Sequence, residues 1–330
     1  MPGGAADPIQ RILVIKLGAL GDFVLALAPF AAIRRHHAAA HITLLTIPAL
    51  ADLGCASGYF DEVWTDTRPR VWDWPGWRAL MRRLNGGRFD RVYDLQTSDR
   101  SSLYFRLMSP PFGPRPQWSG IARGASHRHT NPKRDFLHTV ERQSEQLAIA
   151  GITDVPPPDL SWARGDTARF KLRAPYILLV PGSAAHRPDK RWPEVRFADL
   201  AVELLERGYQ PVLLGAAAER KVINAIHNRV PDARDLCGQT SYDDLIGLAF
   251  AAAGAVGNDT GPMHLIAATG CRTVALFSAA SDPALCAPRG PRPDGVAVLR
   301  RQPLSDLPVS EVEAALNLPT VGPISAAPVP

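Results

Sequence analysis

The segment from Gly257 to His264 carries the residue types of a phosphate and sugar site. It reads Gly-Asn-Asp-Thr-Gly-Pro-Met-His, so the hydroxyl of Thr260 and the glycine at Gly261 come at the predicted start of a helix. The N–H groups and the positive end of a helix stabilise a diphosphate without a metal. Asp259 would repel phosphate, so we expect it to bind hydroxyls, such as those of a sugar. His264 could donate to phosphate, although a lone helical histidine is as often a packing residue.

A second candidate for an anion site follows the predicted strand at 176–180. Its loop turns at Gly182 and Ser183 and then carries arginines and Lys190. A glycine turn at a strand end with basic residues behind it is typical of phosphate binding. The alternative is a solvated basic loop in which Trp192 covers the core. The loop lacks the G-x-x-x-x-G-K-[ST] pattern, so it is not a Walker loop.

The loop after the first predicted strand could hold a general base. Gly18 and Gly21 allow the backbone to turn tightly and to approach a ligand, and Asp22 stands at the start of the next helix. A carboxylate at a strand end can take a proton from a substrate hydroxyl. It can equally cap the helix, which is a frequent role of aspartate at that position. The G-x-G-x-x-G pattern of dinucleotide-binding folds is absent.

Several other catalytic classes lack their signatures. The chain has no D-x-D, H-E-x-x-H or G-x-S-x-G pattern, which disfavours a metal-bridged transferase, a zinc protease and a serine hydrolase. Its four cysteines lie far apart without a C-x-x-C pair, so the sequence predicts neither a zinc site nor a redox dithiol. The remaining candidate is metal-free chemistry on a phosphorylated donor.

Alternating strands and helices must position these loops. Short β-rich runs at 11–17 and 41–47 flank a helical stretch at 22–36, and a similar series begins at 176–180 after the Pro-rich segment 151–174. Such series predict parallel sheets covered by helices, with ligands at the carboxyl ends of the strands. We expect an α/β protein with two doubly wound, Rossmann-like domains facing a central cleft. The predicted segments are a domain at 1–160, a domain at 161–307, a helix at about 308–318 that could pack back on the first domain, and a loose tail at 319–330.

The composition is typical of a folded chain that binds anions. The 330 residues are 46% hydrophobic and 21% charged, with a net charge of +5. This balance leaves nucleic acid, an anionic lipid surface and phosphorylated substrates as partners. The longest uncharged apolar run, 245–257, is too short to cross a bilayer, and the N-terminus lacks the pattern of a signal peptide. We therefore expect a cytoplasmic protein.

Four segments of the chain form a recognisable set. They read RILVIKLGALGD at 11–22, PGSAAHRPDKRWPEVRFADLAVELLERG at 181–208, LLGAAAER at 213–220 and GNDTGPMHLIAATGCRTVALFSAASDP at 257–283. Together they closely resemble the glycosyltransferase family 9 heptosyltransferases of lipopolysaccharide assembly. The resemblance implies a GT-B fold whose N-terminal half binds the acceptor and whose C-terminal half binds ADP-heptose. It also implies inverting transfer without a metal or other cofactor.

The same resemblance implies roles for single residues. Asp22 matches the proposed general base of the family's L-G-D loop, and Lys190 matches a lysine that contacts donor phosphate. Glu219 matches the acidic position at the ribose hydroxyls. Asp259 faces the sugar, and the two residues after it face phosphate. The full predicted donor set is Gly18, Gly21, Ser183, Lys190, Glu219, Asp259, Thr260, Gly261 and His264, and no metal ligand is predicted.

An irregular basic stretch at 115–142 is the predicted acceptor site. It carries six lysine and arginine residues against two acidic ones. We expect Arg123, Arg128 and Arg134 to bind an anionic lipid-linked oligosaccharide at the inner face of the inner membrane, since basic residues near lipid headgroups favour peripheral binding. The alternative is a solvated loop, as most charge runs are.

The sequence thus predicts a glycosyltransferase that moves heptose from ADP-heptose to a lipopolysaccharide core or a related glycan, with no nucleic-acid partner. We expect it in the cytoplasm, peripheral at the inner membrane. One alternative is a related GT-B transferase with another nucleotide sugar or acceptor. Another is a nucleotide-sugar-binding protein without catalysis, against which the retained Asp22 weighs. The missing dinucleotide pattern makes a nicotinamide oxidoreductase the weakest alternative.

Overall fold

The computed structural model describes residues 9–108, 115–163, 165–183 and 187–321. The chain divides into two compact units, Met1–Pro156 and Pro157–Pro330. The sequence placed this division at 160/161. Each unit has its own parallel sheet and its own hydrophobic core.

The first unit alternates strands and helices along the chain. Its strands are β1 (Arg11–Ile15), β2 (His41–Thr46), β3 (Glu62–Thr65), β4 (Arg91–Asp94), β5 (Gln117–Gly120) and β6 (His127–Arg128). Its helices are α1 (Leu20–Leu25), α2 (Leu27–His36), α3 (Pro48–Ala56), α4 (Trp74–Gly86), α5 (Asp99–Leu107) and α6 (Thr139–Ile149). The strands are all parallel and pair in the order β3-β2-β1-β4-β5-β6.

The central strands of this sheet are buried on both faces. Leu13, Ile15 and Val92 are fully buried, which explains why β1 reads as a continuous apolar run rather than an alternating one. Because β1 leads to β2 on one side and β4 leads to β5 on the other, a crevice opens outside the carboxyl ends of β1 and β4. Ligands of doubly wound sheets bind at such a point.

The single helix predicted at 22–36 is two helices. Ala26 separates α1 from α2, and its N–H donates to the carbonyl of Phe23 rather than to the residue four positions back. Pro29 supplies the reason, since it has no N–H and its ring crowds the carbonyl of Leu25. Asp22 therefore lies in the first turn of a short helix of six residues.

The second unit repeats the pattern. Its strands are β7 (Tyr176–Val180), β8 (Gln210–Leu213), β9 (Arg234–Asp235), β10 (Gly254–Asn258), β11 (Thr273–Phe277) and β12 (Val296–Arg300). Its helices are α7 (Glu194–Glu206), α8 (Arg220–Arg229), α9 (Tyr242–Ala251), α10 (Gly261–Ala268), α11 (Pro283–Cys286) and α12 (Val309–Leu316). The strands are parallel in the order β12-β11-β10-β7-β8-β9, which is the strand order of the first unit read from the other edge. The crevice of this sheet lies outside the ends of β7 and β10.

Helix α12 corrects one expectation. The sequence allowed it to pack back on the first domain, but Val309, Val312 and Leu316 join the core of the second unit. Leu316 approaches Gly254 so closely that an added Cβ there would lie 3.2 Å from its Cδ2. Helix α12 contacts β10, β11 and β12 of the sheet that directly precedes it, since consecutive elements of a chain are usually neighbours in space.

The first residues after α12 bond to the second unit. Tyr209 donates its hydroxyl to the carbonyl of Pro319 at 2.7 Å, and the N–H of Val321 donates to the carbonyl of Arg207 at 3.0 Å. The predicted loose tail is therefore wrong for 319–321, because these hydrogen bonds hold it on the second unit. Residues 322–330 lie outside the described part of the chain. Within that part, no helix is both long and apolar enough to cross a membrane.

Candidate active site in two strand-end crevices

Asn258 connects the loops that follow β7 and β10 at the crevice of the second unit. It is fully buried at the end of β10. Its Nδ2 donates to the carbonyl of Pro181 at 2.8 Å, and its Oδ1 accepts from the N–H of Trp192 at 2.9 Å. The amide thus fixes both ends of the loop that carries Lys190. Sequence reasoning missed Asn258, since only its position between a strand and Asp259 could have marked it.

Lys190 and Asp259 contact each other at this crevice. Lys190 Nζ lies 2.6 Å from Asp259 Oδ2, and the two side chains are only 17% and 9% exposed. Ser281 donates its hydroxyl to the same carboxylate oxygen at 2.6 Å. The sequence analysis assigned Lys190 to the phosphate and Asp259 to the sugar of a donor. In the structure the two side chains form an ion pair with each other. Asp259 therefore competes with any anion for the ammonium of Lys190, and the pair has to open before an anion can bind there.

The start of α10 presents backbone donors beside this ion pair. Thr260 is the N-cap residue in an extended conformation, and its hydroxyl does not cap the helix. The N–H groups of Thr260 and Gly261 donate to no other residue in the described part of the chain. Pro262 has no N–H, so the first turn of α10 offers one backbone donor fewer than a helix start without proline. His264 is buried inside the first turn.

Glu219 stands at the neighbouring strand end. It closes a 3-10 turn at Ala217–Glu219 after β8, and its Oε2 accepts from the N–H of Ala216 at 2.8 Å. Gly182 leaves room for it, because an added Cβ would lie 2.5 Å from Glu219 Cγ. The loop after β7 therefore passes directly against Glu219, and the predicted acidic residue lies beside the predicted phosphate loop.

Ser183 makes hydrogen bonds within the same loop. Its hydroxyl accepts from Arg191 Nε at 3.1 Å and reaches the carbonyl of Arg187 at 3.4 Å. Arg187 itself donates to the carbonyl of Ala280 at 3.0 Å. These bonds tie the loop to the segment after β11. The predicted side-chain contact of Ser183 with a donor would have to compete with the guanidinium of Arg191.

Asp22 occupies the crevice of the first unit. It is the third residue of α1, whose N-cap is Ala19, and no side chain caps that helix. The capping alternative is therefore wrong. An added Cβ on Gly18 would lie 3.2 Å from Asp22 Oδ2, so a larger side chain would press on the carboxylate. Gly21 is buried within the same turn. In the described part of the chain, no residue donates a hydrogen bond to the Asp22 carboxylate.

A buried lysine lies near this carboxylate. Lys16 is 4% exposed, and its Nζ donates to the carbonyl of Leu95 at 3.2 Å. Burial lowers the pKa of Lys16, and the negative charge of Asp22 opposes this shift. The negative charge of Asp22 thus favours the charged form of Lys16 at the end of β1.

Asp94 ends the adjacent strand and is fully buried. Its Oδ1 accepts from the N–H groups of Gln96 and Thr97 at 3.1 and 2.9 Å. Burial raises the pKa of Asp94 to about 6 despite these bonds. Gln96 Oε1 accepts from the N–H of Leu17 at 2.7 Å, which links the β4 end to the Asp22 loop. Sequence reasoning missed both residues.

The three arginines of the predicted acceptor site differ in exposure. Arg123 and Arg128 are exposed, and Arg128 Nε donates to the carbonyl of Ile121 at 3.2 Å. Arg134 is only 15% exposed and pairs with Asp135 at 2.8 Å. Burial lowers the pKa of Arg134, while the charges of Asp135 and then Asp94 raise it. Arg134 therefore lies close enough to the end of β4 for the charge of Asp94 to act on it.

The described residues contain no group of three or more His, Cys, Asp or Glu side chains that could hold a metal ion. Their four cysteines, Cys55, Cys237, Cys271 and Cys286, are free thiols. Charge at the two crevices comes instead from single lysines, arginines and carboxylates.

Comparison with known proteins gives a consistent result. A family model described as glycosyltransferase family 9 (heptosyltransferase) matches residues 77–313. Lipopolysaccharide heptosyltransferase 2 of Escherichia coli K12 is 32% identical over 225 residues, which cover 62% of this chain and 64% of that protein. This match therefore spans less than two thirds of the relative's length.

Solved structures extend the likeness over nearly the whole fold. The structure of E. coli ADP-heptose lps heptosyltransferase II aligns with a TM-score of 0.74 and 26% identity, covering 93% of this chain and 98% of the other. A glycosyl transferase family 9 structure from Veillonella parvula aligns with a TM-score of 0.79 at 22% identity, covering 95% and 99% of the two chains, and supports the fold alone. The α/β fold class predicted from the sequence, with two doubly wound units of the GT-B type, is confirmed. With its two Rossmann-like units and the family match over 77–313, the chain belongs to glycosyltransferase family 9.

Proposed function

We propose that this chain is a glycosyltransferase that moves heptose from ADP-heptose to a lipopolysaccharide core or a related glycan. The observation that carries the proposal is the Lys190–Asp259 pair at the start of α10, where a lysine and free backbone N–H groups meet at a strand-end crevice. Family membership and the E. coli enzyme named for ADP-heptose support the donor. Glu219 would bind the ribose hydroxyls, with Ser183 and His264 supporting the phosphate loop and helix.

In the proposed reaction, Asp22 is the general base. Its carboxylate takes the proton of an acceptor hydroxyl while the oxygen attacks the anomeric carbon. The bond between that carbon and the phosphate oxygen breaks, and ADP leaves with the electron pair. Attack opposite the leaving group inverts the anomeric centre. Gly18 keeps the carboxylate uncrowded, since an added Cβ there would lie 3.2 Å from Asp22 Oδ2. The backbone at Gly18 and Gly21 would contact the donor.

The leaving diphosphate needs stabilisation of its developing charge. Lys190 would exchange Asp259 for phosphate, and the N–H groups of Thr260 and Gly261 would donate to it. Asp259, released from the lysine, would accept from sugar hydroxyls. These groups supply the charge that a bridging metal supplies in other transferases, so we propose metal-independent transfer.

The acceptor would bind to the first unit. Arg134 offers the strongest site of the three predicted arginines, because its Nε and Nη2 are buried without a partner in the described part of the chain. Arg123 and Arg128 are exposed and would act on a larger anionic acceptor. We propose that the enzyme acts in the cytoplasm, peripheral at the inner membrane, where a lipid-linked acceptor would lie.

A panel of nucleotide sugars tests the proposal. Purified protein is incubated with ADP-heptose, other ADP-sugars, GDP-sugars and UDP-sugars, with a lipid-linked core acceptor, and product is detected by mass spectrometry. We expect transfer from ADP-heptose, with undiminished rate in saturating EDTA. Preferred use of another nucleotide sugar would assign the chain to a related GT-B activity. Donor binding without any transfer would assign it to a binding role.

A further inference from the structure

Residues 67–83 of the first unit carry an apolar surface for which the proposed reaction has no use. Val71, Trp72 and Trp74 are 82%, 71% and 78% exposed. Single apolar residues on a surface need no explanation, but a cluster with two tryptophans marks an interaction site. We call these three residues the tryptophan patch.

Helix α4 gives the tryptophan patch a rigid base. The Asp73 carboxylate accepts from the N–H of Gly76 at 2.9 Å and so caps the helix. Trp77 packs against the core and donates its indole N–H to the carbonyl of Arg70 at 2.9 Å. The patch is therefore held outward by a folded segment and not by a frayed end.

Arginines surround the patch. Residues 67–83 contain five arginines and a single acidic residue, Asp73, whose carboxylate already caps α4. Arg78 and Arg82 follow Trp74 by four and eight positions, so the three side chains share one exposed face of the helix. The Arg70 guanidinium lies 5.7 Å from the centre of the Trp72 ring.

We propose that the tryptophan patch docks this chain on an anionic lipid bilayer. Tryptophan combines an apolar ring with a polar N–H and favours the headgroup level of a membrane. Arginines beside it are attracted to anionic headgroups. A hollow of about 590 Å³ bordered by Arg68, Arg70 and Trp72 offers space for such a headgroup.

Charge favours the bilayer over a second copy of the chain. In a two-fold contact the patch would face itself, which brings the arginines of both copies together. An anionic membrane neutralises the same arginines. The charge of the patch thus matches a lipid surface and opposes self-association.

The patch lies next to the loop of the candidate base. Arg68 donates to the carbonyl of Leu17, which precedes Gly18 in that loop. Docking there would bring a lipid-linked acceptor to the Asp22 side of the first unit. This consequence rests on the proposed function, whereas the docking itself does not.

Vesicle binding of the full chain tests the proposal. The probes are vesicles of phosphatidylcholine alone and of phosphatidylcholine with phosphatidylglycerol. Wild type should bind the anionic vesicles, and lipids with brominated acyl chains should quench part of its tryptophan fluorescence. Trp72→Ala/Trp74→Ala should abolish that quenching and weaken binding at least tenfold. Arg78→Glu/Arg82→Glu should weaken binding at least about tenfold as well, since one basic residue near the surface contributes about fivefold.

Phe250→Ala is the matched control, because it removes a half-exposed aromatic side chain of the second unit and should leave vesicle binding unchanged. The proposal is overturned if wild type ignores anionic vesicles, or if only Arg123→Glu/Arg128→Glu weakens binding. It is also overturned if the tryptophan variants convert a dimer to a monomer without changing vesicle binding. Transfer to a water-soluble acceptor fragment should be normal in the patch variants. If wild type binds vesicles but transfers nothing, the proposed function fails and the docking surface stands.

Discussion

Lys190 and Asp259 form a 2.6 Å ion pair across 69 positions of sequence, and Ser281 donates to the same carboxylate oxygen. Each partner is mostly buried, so neither charge is well solvated without the other. A ligand that carries both phosphate and hydroxyl groups can satisfy the two charges separately.

Replacing Lys190 tests this exchange. Lys190→Ala removes a charge-assisted hydrogen bond of about 1.5–3 kcal/mol, so ADP should bind roughly tenfold to a hundredfold more weakly by calorimetry. Lys221→Ala, which removes an exposed lysine of the same unit, should bind ADP as wild type does. Equal ADP affinity in Lys190→Ala and wild type would place the nucleotide elsewhere.

Asp22→Asn isolates the proton acceptor. The amide has nearly the same shape but cannot take a proton, so transfer should fall about 10²–10⁴-fold while ADP affinity stays the same. Asp52→Asn changes an exposed carboxylate of the same unit and should transfer at the wild-type rate. Near-normal turnover of Asp22→Asn would remove Asp22 from the reaction.

The raised pKa of Asp94 predicts that the stability of the protein depends on pH. Its folded pKa of about 6 lies above the ordinary value of 3.8, so the folded state keeps a proton that the unfolded state has lost between these two pH values. The contribution of this proton to the free energy of unfolding is full below about pH 4 and is lost as the pH rises through about 6. Between pH 4.5 and 7, the stability of wild type relative to Asp94→Asn should fall by about 2 kcal/mol. Urea unfolding of both proteins measures it, and a constant difference across this range would contradict the raised pKa.

Only part of this site could be predicted from sequence. The strand–glycine–helix patterns at Gly18 and Gly261 placed two loops at strand ends, because such patterns are local. The partners of Asn258 and Asp94 could not be predicted, since their hydrogen bonds join segments that only the folded sheet brings together. The same reason explains β5, whose Gln-Trp-Ser-Gly sequence lacks the apolar run of a strand although Trp118 is fully buried.

Leu316→Ala tests the assignment of α12. Leu316 is fully buried in the second core, so its truncation should destabilise that unit by about 2–5 kcal/mol. Hydrogen exchange should show faster opening of β10 and α7 and unchanged opening of β1 and β4. Faster exchange in β1 and β4 instead would mean that α12 supports the first unit.

The bonds of Tyr209 to Pro319 and of Val321 to Arg207 have a practical consequence. Tyr209 immediately precedes β8, so the chain is anchored at the amino ends of the strands, while Lys190 and Asp259 lie at the carboxyl ends. A fluorophore attached at Val321, which is 55% exposed, would leave from the edge opposite the Lys190–Asp259 crevice. Immobilising the protein at that position should therefore leave the crevice open to ligand in a surface-based binding assay.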